Sequence, residues 1–312
     1  MTPIICEGLI LVSEELDPHS MISNNTNSNK VALVTGSSSG IGLETSLTLA
    51  ENNFRTYATM RNLNKASNIM ELAKKRNVAV QITKLDVNDD YSVQQAVQQI
   101  VEEEKAIDLL VNNAGYTQLG TVEDLSLNEI QAQFNTNIFG IFRMIKEVAP
   151  IMRRQRTGGT IINIGSANGF FGVPCASAYV STKFALEGLT QSLRFELSQF
   201  GIKVVIIEPG AIKTNAATNS MFLPKKLREQ QHQLKSISFS EEMTKSIMNK
   251  SVAAIANGSS PKVVAEIVLK IVREKEPQWR YLAGVDAETL YKAKKDMNDQ
   301  EFEKFLYKTL DL

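Results

Sequence analysis

The chain has 312 residues, 43% hydrophobic and 22% charged, enough for one large α/β domain with additions around a well-buried core. Lys plus Arg and Asp plus Glu balance at 34 each, so there is no basic field to recruit nucleic acid. The 2 cysteines (Cys6, Cys175) and 2 histidines (His19, His232) stand apart in sequence, which argues against a disulfide framework, a metal site and a His-based triad. No apolar run reaches the roughly 18–20 residues of a membrane span, so a cytoplasmic location is expected.

Residues 1–29 read as a flexible leader. Ile4 to Val12 is apolar but broken by Glu7 and preceded by no basic residue, which is not the form of a secretory signal. Residues 20–30 are Asn/Ser-rich and aperiodic. From Lys30 onward, strands and helices alternate. Val31 to Val34 reads as a strand buried on both faces. A glycine turn (Gly36, Gly40, Gly42) follows, and then Ile41, Leu43, Leu47 and Ala50 recur at helical spacing. Phe54 to Met60 predicts a second strand, Leu63 to Arg76 a helix, and Val78 to Leu85 a third strand. Asp89 begins a helix that runs through Val101, and Ile107 to Val111 is a fourth strand ending in NNAG. Helices over 126–136 and 138–155 precede a fifth strand, Thr160 to Ile164. A helix from Ala176 to Phe200 leads to a sixth strand, Ile202 to Ile207, which closes on Pro209-Gly210. Residues 215–260 break the rhythm as an irregular, partly helical insertion. Pro261 opens another helix, Trp279 to Ala283 reads as a closing strand, and 286–312 as an amphipathic helical tail packed on its own domain. Repeated βα units with short connections predict an α/β fold over 30–285, a single doubly wound parallel sheet of about seven strands with helices on both faces.

Ligands of such sheets bind beyond the carboxyl ends of the strands, and the informative residues fall there. Gly36, Ser38, Ser39, Gly40, Ile41 and Gly42 follow the first strand, Arg61 the second, and Asp86 and Val87 the third. Asn113, Ala114 and Gly115 follow the fourth strand, Ser166 the fifth, and Pro209, Gly210, Ile212 and Thr214 the sixth. A strand feeding a glycine turn feeding a helix N-terminus is a phosphate cradle, because orphan amides and the positive dipole end face the anion. The spacing is neither G-x-G-x-x-G nor a P-loop, and an ordinary strand–helix turn is the competing reading of that stretch alone. Tyr179 and Lys183, four residues apart, share a helical face. An ammonium beside a phenol favours the phenolate, so the pair suits a general acid for carbonyl reduction or a base for alcohol oxidation. Y-x-x-x-K is common on amphipathic helices. The position of Ser166 at the end of the preceding strand, where it could bond the reacting oxygen, gives the pair its weight.

TGSSSGIG, NNAG, Asn137 within FNTNIFG, Ser166 within INIGS, YVSTK and EPGAIKT, in that order from about 30 to 214, together resemble the short-chain dehydrogenase/reductase family. The resemblance implies a Rossmann-like fold. It makes Tyr179 the proton donor or acceptor, and has Lys183 hold the nicotinamide ribose and lower the Tyr179 pKa. Ser166 would orient the carbonyl, and Asn137 support a water-linked relay to the lysine. The sequence departs from the pattern at Gly165, where many members carry a second serine.

The end of the second strand, where a carboxylate would select NAD, carries Met60 and Arg61. A guanidinium there suits the 2′-phosphate of NADP, with Ser39 adding a hydroxyl. NADP(H) is therefore expected over NAD(H), a solvated loop arginine being the alternative. A small-molecule carbonyl or alcohol is the expected partner. Tyr116, Phe170, Phe171, Val173, Cys175, Met221 and Phe222 could line an apolar pocket. YATMRN and RYLAG resemble the hydroxysteroid and retinol dehydrogenase branch, whose substrates are lipophilic; acyl-carrier or sugar-type carbonyls are the other option. Apolar stripes on 138–155 (Ile138, Ile141, Phe142, Ile145) and 177–199 (Leu186, Leu189, Leu193, Leu197) predict pairing in a homodimer or homotetramer. A dinucleotide-binding regulatory or scaffold protein without turnover is the alternative function; the intact Asn137, Ser166, Tyr179 and Lys183 set speaks for the enzyme.

Overall fold

The structure, a computed structural model, describes residues 30–214, 220–230 and 239–310. The expected leader, with Cys6 and His19, lies outside the described residues, as do His232 and the stretches 215–219 and 231–238 of the expected insertion.

The strands in chain order are β1 (Val31–Val34), β2 (Arg55–Met60), β3 (Gln81–Lys84), β4 (Leu109–Asn112), β5 (Thr117–Gln118), β6 (Gly159–Ile164), β7 (Ile202–Pro209), β8 (Met221–Phe222) and β9 (Arg280–Ala283). Seven of them form one sheet in the order β3-β2-β1-β4-β6-β7-β9, parallel throughout, while β5 and β8 pair separately. The helices are α1 (Gly40–Glu51), α2 (Ser67–Lys75), α3 (Asp90–Glu104), α4 (Leu127–Phe134), α5 (Gly140–Arg154), α6 (Ser177–Ser198), α7 (Lys225–Gln230), α8 (Phe239–Ala256), α9 (Pro261–Arg273), α10 (Val285–Asp296) and α11 (Asp299–Leu310). None is long and apolar enough to cross a membrane.

Successive strand residues point to opposite faces, and the two cores divide accordingly. Val31, Leu33, Leu110, Ile161, Val204 and Ile206 pack with the apolar sides of α3, α5 and α6. Ala32, Val34, Leu109, Val111, Ile162 and Ile207 pack on the other face with Val264, Val268 and Ile271 of α9. Burial on both faces explains why these strands are unbroken apolar runs. The strand order reverses between β1 and β4, so the α1 and α4 connections leave the sheet in opposite directions and open a crevice at the carboxyl ends.

Several boundaries differ from the sequence reading. The expected helix 63–76 is a short 3₁₀ turn, Leu63–Lys65, and then α2; the third strand is confined to Gln81–Lys84. Helices 126–136 and 138–155 are one continuous rod joined by a π turn, Asn135–Phe139. The tail is two helices rather than one. Ala287, Ala293 and Phe302 pack them against Ala167 and Phe171 after β6. Of the stripes expected to pair between subunits, Ile138, Ile141, Ile145, Leu186 and Leu193 are buried and Leu189 and Leu197 pack against the same core, while Phe142 is exposed. The aromatic groups these helices leave exposed are Phe139, Phe142, Phe184 and Phe195.

Candidate active site

The crevice is a cleft of about 1160 Å³ running across the carboxyl ends of the strands. Of the expected residues, Gly36, Ser38, Ser39, Gly40, Ile41, Arg61, Asp86, Val87, Asn113, Ala114, Gly115, Ser166, Tyr179, Lys183, Pro209, Gly210, Ile212 and Thr214 line it. Gly42 and Asn137 lie buried just behind the lining.

The glycine turn is held by small polar side chains. Thr35, 1% exposed, donates to Val111 O and accepts from the backbone N–H of Asn113 (2.9 Å) and Ala114 (3.0 Å). Asn113 Nδ2 in turn donates to Thr35 O at 2.9 Å and Gly36 O at 3.1 Å. The contacts are close enough to demand glycine. A Cβ on Gly42 would lie 2.4 Å from Asn113 Nδ2 and 2.5 Å from Gly36 O, and Gly36 has φ +70° with Ala114 Cα 2.9 Å from where a Cβ would stand. Ser39 caps α1 in an extended conformation with no side-chain cap bond, so the first amides of this 12-residue helix have no side-chain partner where they open onto the cleft. That end of the cleft carries Arg61, exposed and without an ion pair to any described residue. Uncapped helix amides followed by an uncommitted guanidinium fit a dinucleotide phosphate chain.

At the other end, the floor is the Tyr179 phenol. Burial holds its pKa above the usual value, and the Ser166 and Thr117 hydroxyls act against that rise. Ser166, two residues beyond β6, accepts from Asn168 N at 3.2 Å, which fixes its hydroxyl. The Lys183 ammonium lies 5.6 Å from the Tyr179 ring centroid and donates to Ile164 O at 3.0 Å. Burial pushes its pKa down to about 8, while the charge of Glu187 pulls the other way. In the protein alone, then, burial and two hydroxyls govern the Tyr179 phenol, and Lys183 is tied to a main-chain carbonyl beside the ring.

Asn137 sits in the π turn, a distortion that often marks functional positions. Its Nδ2 donates to Tyr116 O (3.0 Å) and Thr182 Oγ1 (3.1 Å), and its Oδ1 accepts from Tyr116 N (3.1 Å). Both amide hydrogens are therefore committed to clamping the segment after Gly115 against α6. At Gly165 a Cβ would stand 2.9 Å from Ile206 Cδ1 and 3.1 Å from Ile207 O, so the second serine of the family pattern has no room here.

The apolar residues divide. Tyr116, Met221 and Phe222 line the cleft, with the Tyr116 and Phe222 rings edge-on at 5.6 Å. Phe170, Phe171 and Val173 pack instead with the tail helices, and Cys175 is buried outside the cleft lining. Residue type alone could not separate these two groups, because the tail that covers the second is more than a hundred residues further on.

Sequence reasoning missed Thr35, Thr117 and Thr182. Thr35 stands at the head of the quoted glycine motif. Thr117 carries no local signal, since its place depends on β5 pairing with β8: Thr117 N donates to Ser220 O at 2.7 Å and Leu119 N to Phe222 O at 2.8 Å.

The short chain dehydrogenase family model matches residues 30–221. The chain is 34% identical to 3-ketodihydrosphingosine reductase from Bacteroides thetaiotaomicron, over 84% of this chain and 90% of that protein. It is 32% identical to mouse 17-beta-hydroxysteroid dehydrogenase type 1 (81% and 73%), and 40% identical to human retinol dehydrogenase 8 over a shorter stretch (59% and 60%). A short-chain dehydrogenase from Streptomyces avermitilis superposes with a TM-score of 0.76 at 26% identity, covering 91% of this chain and 98% of its own. Actinorhodin polyketide ketoreductase, solved with NADPH, gives 0.66 at 29% identity, covering 81% and 95%. A Burkholderia phymatum protein solved with NAD shares the fold at 0.74 and 21% identity, covering 86% and 94%. The chain belongs to the short-chain dehydrogenase/reductase family, an oxidoreductase family built around NAD(P).

Proposed function

We propose that this protein reduces a lipophilic ketone or aldehyde with NADPH, or oxidises the corresponding alcohol with NADP, and that Tyr179 transfers the proton. The observation that carries the reading is the floor of the cleft, where the Tyr179 phenol lies with the Ser166 and Thr117 side chains in the lining and the Lys183 ammonium stands 5.6 Å from its ring centroid. A phenol with a raised pKa keeps its proton near neutrality, which suits a general acid for carbonyl reduction. Ser166 holds the carbonyl oxygen against Tyr179, and the phenol gives up its proton as charge develops on that oxygen. Lys183 holds the nicotinamide ribose, and its charge eases formation of the phenolate; Asn137 keeps Thr182, and through it the Tyr179 backbone, in register. The bound nicotinamide would supply the hydride. Residues along the cleft from Ser38 to Gly42, with Asp86, Val87 and the Asn113–Gly115 and Pro209–Thr214 turns, would hold the dinucleotide, and Arg61 with Ser39 the 2′-phosphate.

The apolar wall of Tyr116, Met221 and Phe222 supports a lipophilic substrate, as do relatives named for a ketosphingoid, retinol and a hydroxysteroid. For assembly we propose a homodimer or homotetramer in which Phe142 of the expected stripe, with the exposed Phe139, Phe184 and Phe195, makes the contact.

The test is NADPH oxidation by the purified protein against a panel of ketones, aldehydes and acyl thioesters of graded apolar surface. The expected result is turnover with NADPH well above that with NADH, and kcat/KM rising with apolar area at roughly 25 cal/mol per Å² buried. NADPH binding without turnover across the panel would assign the chain a binding role instead.

A further inference from the structure

The turn that follows β7, Pro209–Thr214, runs along the cleft from the Ser166 end to the glycine turn. At its start β7 lies beside β6, with Gly165 N donating to Ile207 O at 2.7 Å. At its far end Thr214 packs on Gly40, where a Cβ would stand 3.1 Å from Thr214 Cγ2. The anchors of this turn come from segments far along the chain. Gly210 N donates to Ala283 O of β9 at 3.0 Å, Ala211 O accepts from Ser259 N at 2.9 Å, and Lys213 N donates to Ser259 O at 2.8 Å. A further anchor is a side chain: Ala211 N donates at 2.6 Å to Oδ2 of Asp286, in the first turn of α10. Two glycines make room for that carboxylate. A Cβ on Gly210 would lie 2.2 Å from both Asp286 oxygens, and one on Gly284, which has φ +109°, would lie 2.7 Å from Asp286 Oδ1. The next residue, Ala287, is fully buried in a cluster with Ala167 and Phe171, just beyond Ser166. The start of α10 thus meets the turns after both β6 and β7.

We propose that Asp286 is a positioning residue that sets the Gly210–Ile212 backbone for the cofactor, contributed by the C-terminal helices. The inference rests on the reading, given above, that the Pro209–Thr214 turn holds the dinucleotide. Asp286 lies outside the cleft lining, so it acts through the turn. With the Ala211 N–H taken by Asp286 and its carbonyl by Ser259, the peptide on each side of Ala211 is fixed in orientation. Gly210 and Ile212, which line the cleft, are held with it. A carboxylate gains nothing from proximity to the phosphates of a dinucleotide, whose charge has the same sign. Its contribution is the hydrogen bond. Ser39 and Arg61, the proposed contacts of the 2′-phosphate, follow β1 and β2, whereas this turn follows β7, two strands beyond β4 on the other side of the sheet. Loosening the turn therefore weakens the hold on the nicotinamide half of the cofactor and spares the adenosine half.

Calorimetry with two probes, NADPH and adenosine 2′,5′-bisphosphate, separates those halves. Asp286→Ala should lower NADPH affinity on the order of tenfold, the scale of one charge-assisted hydrogen bond. The bisphosphate should bind that variant with wild-type affinity. Asp286→Asn keeps an acceptor oxygen without the charge and should restore NADPH binding. Equal losses for the two probes would mean that Asp286 only supports the fold, and would overturn the proposal. So would wild-type NADPH affinity in Asp286→Ala, or a loss in Asp286→Asn as large as in Asp286→Ala. Where Asp286→Ala does not fold, Asp286→Ser, whose hydroxyl is one atom shorter than the carboxylate, is read in the same way. A wild-type protein that binds neither probe removes the dinucleotide reading of the cleft, and the proposal with it. Wild-type binding of both probes with an unchanged Asp286→Ala removes the role of Asp286 alone.

Discussion

On the side of the cleft formed by β1, β2 and β4, the walls are turns fixed by small buried groups. Thr35 and Asn113 share backbone hydrogen bonds across the strand ends, and Gly36 and Gly42 leave no space for a side chain. On the opposite side, the wall is the β8–α7 segment, held by charge and edge contacts. Lys226 pairs with Asp124 at 3.0 Å, Lys225 N donates to Glu129 Oε1 at 2.7 Å, and Phe222 leans on Tyr116. The first wall needs particular residues in particular places. The second needs only complementary charge and apolar area, which many sequences supply. Such an arrangement lets relatives share a dinucleotide site while their substrates differ.

Mutations that act on one wall alone test this division. The largest stability effect is expected at the tail. Phe302 is buried against Phe171 and Phe305, and Phe302→Ala should cost about 3–5 kcal/mol of packing there. Hydrogen exchange should show protection lost in 285–310 and around Phe171, with β1–β4 amides unchanged; uniform loss would mean that the two parts unfold together. Next is Arg61→Ala, which would remove the proposed charge-assisted contact to the 2′-phosphate, worth about 1.5–3 kcal/mol. NADPH affinity should fall tenfold or more by fluorescence titration while NADH affinity stays put. Equal losses for both would remove Arg61 from the 2′-phosphate. The smallest effect is expected in the β8–α7 segment. Lys226 is more than half exposed, so Lys226→Ala should cost about 1 kcal/mol or less. It should appear as a few-fold rise in KM for the ketone with NADPH affinity unchanged, and a matching loss of NADPH affinity would join the two walls after all.

The same contrast explains what could be read from the sequence. The strands β1, β4, β6 and β7 are buried on both faces and so appear as apolar runs. Their following turns carry glycines and short polar residues that backbone geometry requires. The fold and the cleft lining from Gly36 to Thr214 were legible for that reason. β5 and β8 are two residues each and join segments about a hundred residues apart, so Thr117 could not be found by spacing. Phe170 and Phe171 looked like cleft residues, but they line a second, apolar cavity with Phe302 and Leu306 of the tail, and residue type does not tell one hollow from another. Most residues of the stripes around α5 and α6 turn toward the core and only Phe142 is exposed, which spacing does not reveal, since a helix turned toward its own core and one turned toward a partner show the same period. The bond from Ala211 N to Asp286 joins residues 75 apart in sequence and leaves no local pattern.

The most direct test of the central claim is Tyr179→Phe, which keeps the ring beside Lys183 and removes only the phenolic hydroxyl. Ketone reduction and NADPH affinity are to be measured on the same preparation. The account predicts turnover lower by roughly 10²–10⁴-fold, the scale of general acid–base catalysis, with NADPH affinity near wild type. A Tyr179→Phe enzyme that reduces ketones at the wild-type rate would contradict it.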